Sequence, residues 1–303
     1  MLRDFALGRR VDDYATCFVS ESLPERAARS APLSSPTVPA APRPAATVAL
    51  LRDGVQGPEA FLLRRTHTMA FAPGMHVFPG GGVDPRDGEV PWAGPAPRWW
   101  AEAMVAGEDE AVGLLCAAAR ELFEESGVLL AGRDESTVVC DLSDASWEQD
   151  RQGLLDRTLA FSELLRARGL VLRSDLLRPW AHWCTPLFEP RRYDTWFFVA
   201  NLPEGQHARH VGGEADHAEW WSARAAVMAA SRAEMALMPP TQVTLEEVAR
   251  YPDVESVLRE TRRLARVVPW LARVPDDGLV VRVDLDGYGG GRPGPASGLE
   301  EPV

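Results

Sequence analysis

Lysine is absent from the 303 residues, so all 32 basic side chains are arginine, a usage that fits GC-rich coding. Acidic side chains number 44, and the formal net charge of −12 argues against a polyanion-binding surface. Nucleic acid and anionic membrane are therefore not expected partners. Only four cysteines occur, Cys17, Cys116, Cys140 and Cys184, far apart and with no C-x-x-C pair or histidine at zinc-site spacing. That rules out a disulfide framework and a structural zinc site, and it fits a reducing, cytoplasmic setting. No apolar run approaches the length of a membrane span, and no charged segment followed by an apolar one opens the chain, so neither secretion nor a membrane anchor is expected. The last residues carry no peroxisomal S-K-L signal.

What is present centres on Arg120 to Val128, R-E-L-F-E-E-S-G-V. The preceding run from Glu110 is rich in Ala and Leu with an acidic first turn, which predicts an α-helix ending at Gly127. At about 100° per residue, Val112, Leu115, Ala119, Leu122 and Phe123 share one side, and Glu121, Glu124 and Glu125 the other. A solvated helix face is the ordinary reading of three such glutamates. Here, however, like charges three and four residues apart repel, and the last turn of a helix disfavours anions. Each penalty is ~0.3–1 kcal/mol and both have one sign. A divalent cation reverses both, and glutamate oxygens suit Mg²⁺ or Mn²⁺ that also holds a substrate phosphate. Arg120, one turn before Glu124, is placed to orient it.

Upstream, Phe78 to Gly82 reads F-P-G-G-G after a strand-like run, and such glycines let a backbone approach an anion. Together the two stretches resemble the signature of Nudix hydrolases: a glycine, five residues, a glutamate, seven residues, then R-E-U-x-E-E-x-G-U with U bulky and aliphatic. Arg120, Glu121, Leu122, Glu124, Glu125, Gly127 and Val128 match every defined position of the second half. The first half departs from it, because counting back from Arg120 puts Val112 where the family has its earlier glutamate. Glu89, Glu108 and Asp109 are the acids left to substitute for it, and the extra residues read as an insertion from Val83 to about Gly107.

Phe61 to Gly81 further resembles the motif upstream of the box in the coenzyme A diphosphatase branch, with Arg65, Gly74, Phe78, Pro79, Gly80 and Gly81 at matching positions. Leu63, Thr66 and Ala70 depart from that motif. R-P-W-A-H-W-C-T-P, R-R-Y-D-T-W-F-F-V-A and the G-G-E of His210 to Glu214 are similar to the same branch, and the resemblance runs from Ala45 to Tyr251.

In chain order, residues 1–44 read as an N-terminal arm ending in a Pro/Ala/Ser linker, 45–286 as one domain, and 287–303 as a disordered tail. Strands are predicted at Thr47–Arg52, Ala60–Arg65, from Val128, at Arg178–Thr185, Tyr193–Ala200 and Gly278–Asp284. The insertion carries Trp92, Trp99 and Trp100, read first as packing a short helix and second as covering a pantetheine or acyl tail. Asp144–Gly169 reads as a helical hairpin without chemistry; Ser222–Arg232, Thr241–Arg250 and Asp253–Arg266 read as C-terminal helices. His182 is taken as a satisfied sheet histidine, Glu219 as structural, and Arg191 and Arg192 as loop arginines with a 3′-phosphate as the alternative.

The resemblance implies an α/β Nudix fold, an α/β/α sandwich around a mixed sheet, with helical insertions. It implies a metal-dependent diphosphatase of coenzyme A or acyl-coenzyme A in which Glu121, Glu124, Glu125 and the Gly81 carbonyl hold Mg²⁺ or Mn²⁺. Arg120 and Glu214 join these acids as catalytic candidates; Arg65, Phe78, Gly80, Gly81 and Gly82 are the substrate-binding ones. The alternatives are a Nudix hydrolase of NADH, ADP-ribose or another nucleoside diphosphate derivative, and a non-catalytic Nudix domain that senses a ligand. The expected partner is a small nucleoside diphosphate; a homodimer is compatible with the sequence.

Overall fold

The computed structural model describes residues 1–6, 39–66, 74–211, 215–274 and 278–286. Its elements begin with β1 (Leu2–Ala6), β2 (Arg43–Gly54), β3 (Gly57–Arg65), β4 (His76–Val77), β5 (Gly80–Gly82), β6 (Trp92–Ala93), α1 (Pro97–Met104), α2 (Glu108–Ser126) and β7 (Ala131–Gly132). They continue with α3 (Ala145–Leu155), α4 (Phe161–Arg168), β8 (Val171–Arg173), β9 (Leu177–Cys184), β10 (Tyr193–Asn201), β11 (Ala215–Ser222), α5 (Ala223–Ser231), α6 (Pro239–Val248), α7 (Val254–Arg259), β12 (Arg266–Val267), β13 (Trp270–Val274) and β14 (Gly278–Asp284).

The central sheet runs β11-β3-β2-β10-β9-β12, with β4 beside β3 and β5 beside β2. It is mixed: β2 and β10 are parallel, while β3 and β9 run antiparallel to them. Strands buried on both faces read as near-continuous apolar runs, and T-V-A-L-L and W-F-F-V-A do so. Alternation then divides them between two cores. Ala46, Val48 and Leu50 face α2, whereas Ala49 and Leu51 face the layer of α5, α6 and α7. The expected α/β/α sandwich is thus present, and α2 is buried nearly all round because α1 and α3 also pack on it.

Several elements differ from the sequence reading, which has no strand at β11 or β13. The strand expected from Val128 begins only at Ala131, as β7; before it the buried amide of Gln206 accepts from the Leu129 N–H at 2.8 Å and donates to the Leu129 carbonyl at 2.9 Å. The helix expected over Asp253–Arg266 stops at Arg259. Beyond it Arg262 pairs with Glu247 at 2.8 Å and lies 4.0 Å over Trp180, and the chain runs extended into β12. Within the N-terminal arm, Leu2–Ala6 is a strand paired antiparallel to β14. The linker and the tail read in the sequence lie largely or wholly outside the described residues, as do Cys17, Ala70 and Glu214. No described helix is long and apolar enough to cross a membrane, and the described cysteines are free.

Candidate active site

Gly127 closes α2 in the left-handed region, φ 73°, with its N–H on the Phe123 carbonyl at 2.9 Å, which leaves Glu121, Glu124 and Glu125 in the last turns. Against them lies β5, paired with the start of β2 through Gly80↔Thr47 and Gly81↔Ala46. Nothing intervenes between glycine strand and acids: the Gly80 N–H donates to Glu125 Oε2 at 2.8 Å, and a Cβ on Gly81 would lie 2.5 Å from Glu121 Oε1. Only glycine fits there with Glu121 in place.

Arg120 binds the acids together. Its Nη1 donates to Glu121 at 2.7 Å and Glu124 at 3.2 Å, and its Nη2 to the Gly82 carbonyl at 2.9 Å. The other edge of the guanidinium grips Asp87, Nε to Oδ1 at 2.9 Å and Nη2 to Oδ2 at 2.8 Å. The Asp87 side chain is 2% exposed and also accepts from the Asp84 N–H at 2.8 Å.

Asp87 is the residue the sequence reading missed. Glu89 holds a strained backbone, φ 42°, and Glu108 and Asp109 are exposed in the first turn of α2, so none of the three acids proposed to replace the family glutamate touches Arg120. The signal was present in the forward direction. Gly81, five residues, then Asp87 reproduces the first half of the signature with aspartate for glutamate, and the extra residues begin after Asp87 rather than at Val83.

Three carboxylates thus surround one guanidinium, and a fourth, Glu125, meets the Gly80 amide beside it. Burial pushes Glu121 up to about 7 against the pull of Arg120, and the charges of Glu124 and Asp87 push the same way. Burial also raises Glu124, opposed by Arg120 and by the more distant Arg157. Such a site is short of positive charge, and its all-oxygen donors match a hard divalent cation. Among the described residues no three His, Cys, Asp or Glu side chains converge as a ligand set, because these carboxylates are turned to Arg120 and the Gly80 amide. The donor chemistry therefore fits a cation.

The site opens into a cleft of about 960 Å³ whose lining includes Arg65, Phe78, Gly80, Gly81 and Gly82, all anticipated as substrate-binding, together with Arg43, Trp183, Arg191 and Tyr193. Arg192 is instead structural, buried with its guanidinium on the Thr185 and Ala40 carbonyls. His182 is satisfied by Asp194 at 2.7 Å and stacks on Trp196. None of Trp92, Trp99 and Trp100 lines the cleft, and Trp100 is fully buried. The hairpin read as free of chemistry does line it, through Leu154, Leu155, Arg157 and Phe161, and Arg151 anchors it by donating to the Glu124 carbonyl at 2.8 Å. The physical reason is that α3 packs on α2 beside its acidic last turn.

Gly81→Ala is an expected loss of activity without loss of fold. The added methyl meets a carboxylate end rather than backbone, so Glu121 moves aside. A misplaced group of this kind lowers kcat/KM by up to about 100-fold, while the melting temperature stays within a few degrees by scanning calorimetry. Unchanged kinetics would show that the position of Glu121 is immaterial.

A family model described as the NUDT19 Nudix domain matches residues 102–250. The chain is 27% identical over 192 residues to "Putative nudix hydrolase 7" of Caenorhabditis elegans, covering 63% of this chain and 56% of that protein. It is 26% identical over 221 residues to "Acyl-coenzyme A diphosphatase NUDT19" of Gallus gallus, covering 60% and 58%. It therefore spans a little over half the length of these curated relatives. Among solved structures, a NUDIX hydrolase from Alicyclobacillus acidocaldarius is 30% identical with a TM-score of 0.61, covering 72% of this chain and 96% of that one.

Proposed function

This chain belongs to the Nudix hydrolase family, whose members hydrolyse diphosphate bonds and generally need a divalent metal, and from that premise we propose that it cleaves coenzyme A or an acyl-coenzyme A with Mg²⁺. The products are adenosine 3′,5′-bisphosphate and a 4′-phosphopantetheine derivative. The observation that carries this reading is that one cleft joins the carboxylate cluster to Arg43, Arg65 and Arg191 and to the rings of Trp183 and Tyr193. Such a lining suits a diphosphate, a second phosphate and a purine. The chicken relative's description as an acyl-coenzyme A diphosphatase supports it.

Glu121, Glu124 and Glu125, with the Gly81 carbonyl, would hold Mg²⁺, and Arg120 and Asp87 set the first two carboxylates in position. Bound there, the cation offsets charge on the diphosphate and makes a water more acidic. A carboxylate, Glu214 or one of the box acids, takes the proton of the attacking water. The water oxygen bonds to one phosphorus as the bridging P–O bond breaks, and the electron pair leaves with the other phosphate. Arg65, on the cleft wall, neutralises charge on the phosphates or supports the glycine loop.

The test is turnover by the purified chain, with Mg²⁺ and with Mn²⁺, of coenzyme A, acetyl-coenzyme A, NADH, ADP-ribose and a dinucleoside polyphosphate, resolved by product. Release of adenosine 3′,5′-bisphosphate from the coenzyme A compounds in preference to the rest supports the proposal. Preferential cleavage of NADH or ADP-ribose replaces the substrate, and binding without turnover replaces the enzyme with a sensor.

A further inference from the structure

The turn between α3 and α4 brings an arginine to the acid site that no part of the signature supplies. Asp156 caps α3, and Arg157 follows it with φ 58°, the left-handed position after a helix that glycine fills without strain. Its backbone is fastened: the N–H donates to the Leu154 carbonyl at 2.9 Å, and its carbonyl accepts from Arg86 Nη1 at 3.0 Å. Arg86 is itself held by Asp84, whose N–H bonds Asp87, the partner of Arg120. The backbone of Arg157 is thus tied through a short chain of contacts to the acid cluster. Its side chain is left over. Arg157 lines the cleft, and its guanidinium, among the described residues, makes no hydrogen bond or ion pair, yet its charge reaches Glu124.

We propose that Arg157, carried into the cleft by the α3–α4 turn, binds the substrate diphosphate and stabilises the negative charge that grows on it during cleavage. The inference rests on the diphosphate-hydrolase reading and adds to it a phosphate-binding residue from the inserted hairpin. A tethered backbone with an uncommitted guanidinium suits this role, because the segment carrying the side chain is in place before substrate arrives and the guanidinium gives up no internal ion pair to meet it. Arginine also presents its donors to phosphate oxygens in a rigid planar fork, which the lysine ammonium lacks.

Arg157→Gly separates this role from a structural one, since glycine relieves the left-handed backbone while removing the guanidinium. With whichever panel substrate the wild type cleaves, kcat/KM is expected to fall on the order of 10–100-fold, with the melting temperature unchanged or raised. Arg157→Lys recovers part of the loss, and Mg²⁺ affinity by titration calorimetry is unchanged or tighter in Arg157→Gly. Kinetics of Arg157→Gly within twofold of wild type would overturn the proposal, as would weaker Mg²⁺ binding, which would place Arg157 in the support of the carboxylates. If the wild type cleaves none of the panel, the functional reading fails on its own. Inorganic pyrophosphate titrated with Mg²⁺ then decides: weaker binding to Arg157→Gly supports the proposal, and equal binding overturns it.

Discussion

Glu124→Gln and Glu125→Gln are each expected to lower kcat at least ~100-fold, the scale on which enzymes lose a preorganised electrostatic group. Glutamine keeps the shape of glutamate and an oxygen that can accept, so the bond from the Gly80 N–H to residue 125 and that from Arg120 to residue 124 survive. What disappears is one negative charge and one hard ligand, and that is the quantity under test. At position 124 the fold should not suffer. Burial raises the proton affinity of Glu124, so above the usual carboxylate range the ionised side chain destabilises the metal-free protein relative to a neutral one. Glu124→Gln is accordingly expected to melt no lower than wild type in metal-free buffer near neutral pH, and to bind Mg²⁺ more weakly by calorimetry. Near-normal turnover in both variants would remove these acids from the chemistry.

The second large effect belongs to Asp87→Ala. The Asp87 and Arg120 side chains are 2% and 11% exposed, and removing one partner of a buried pair costs about 3–5 kcal/mol because the survivor is left in poor solvent. Arg120 retains Glu121 and Glu124, which places the expected loss at the lower end of that range, about 3 kcal/mol in the urea-extrapolated unfolding free energy. The kinetic consequence runs the same way. Freed from Asp87, the guanidinium turns further onto the two glutamates and competes for the oxygens a cation needs, so the Mg²⁺ concentration giving half-maximal activity rises. Asp87→Glu keeps the charge and recovers much of both losses. An Asp87→Ala protein with wild-type stability and metal requirement would show that Arg120 needs no partner beyond the helix.

Much of this arrangement was legible in the sequence because it depends on local pattern. The acidic face of α2, its end at Gly127 and the glycine strand beside it follow from helical spacing, left-handed capping and a stretch in which side chains are missing. The central strands were legible for a similar reason: V-A-L-L and W-F-F-V-A are apolar at every step, as burial on both faces demands. The residues that escaped act across distance. Asp87 is invisible to a count backward along the helix because the chain leaves and returns between it and Arg120. Gln206 replaces a strand partner from 77 residues away, and no periodicity announces a side-chain amide in that role. Arg157 reads as one more surface arginine until α3 is seen to pack on α2. The hairpin was recognised as helical from its leucines, but which way its turn faced was decided by Arg151 meeting the Glu124 carbonyl, a tertiary contact.

The stretch around Asp87 and the α3–α4 hairpin also grip each other, each by an arginine side chain on the other's backbone. Arg86, in the segment that carries Asp87, donates to the carbonyl of Arg157, and Arg166 of α4 donates to the carbonyl of Glu89. Neither segment is therefore an independent graft. A relative given only one of them would inherit arginines with no carbonyl to hold, and trimming either loop to reach a minimal scaffold would unfasten the other. Engineering of this cleft has to transplant or delete the pair together.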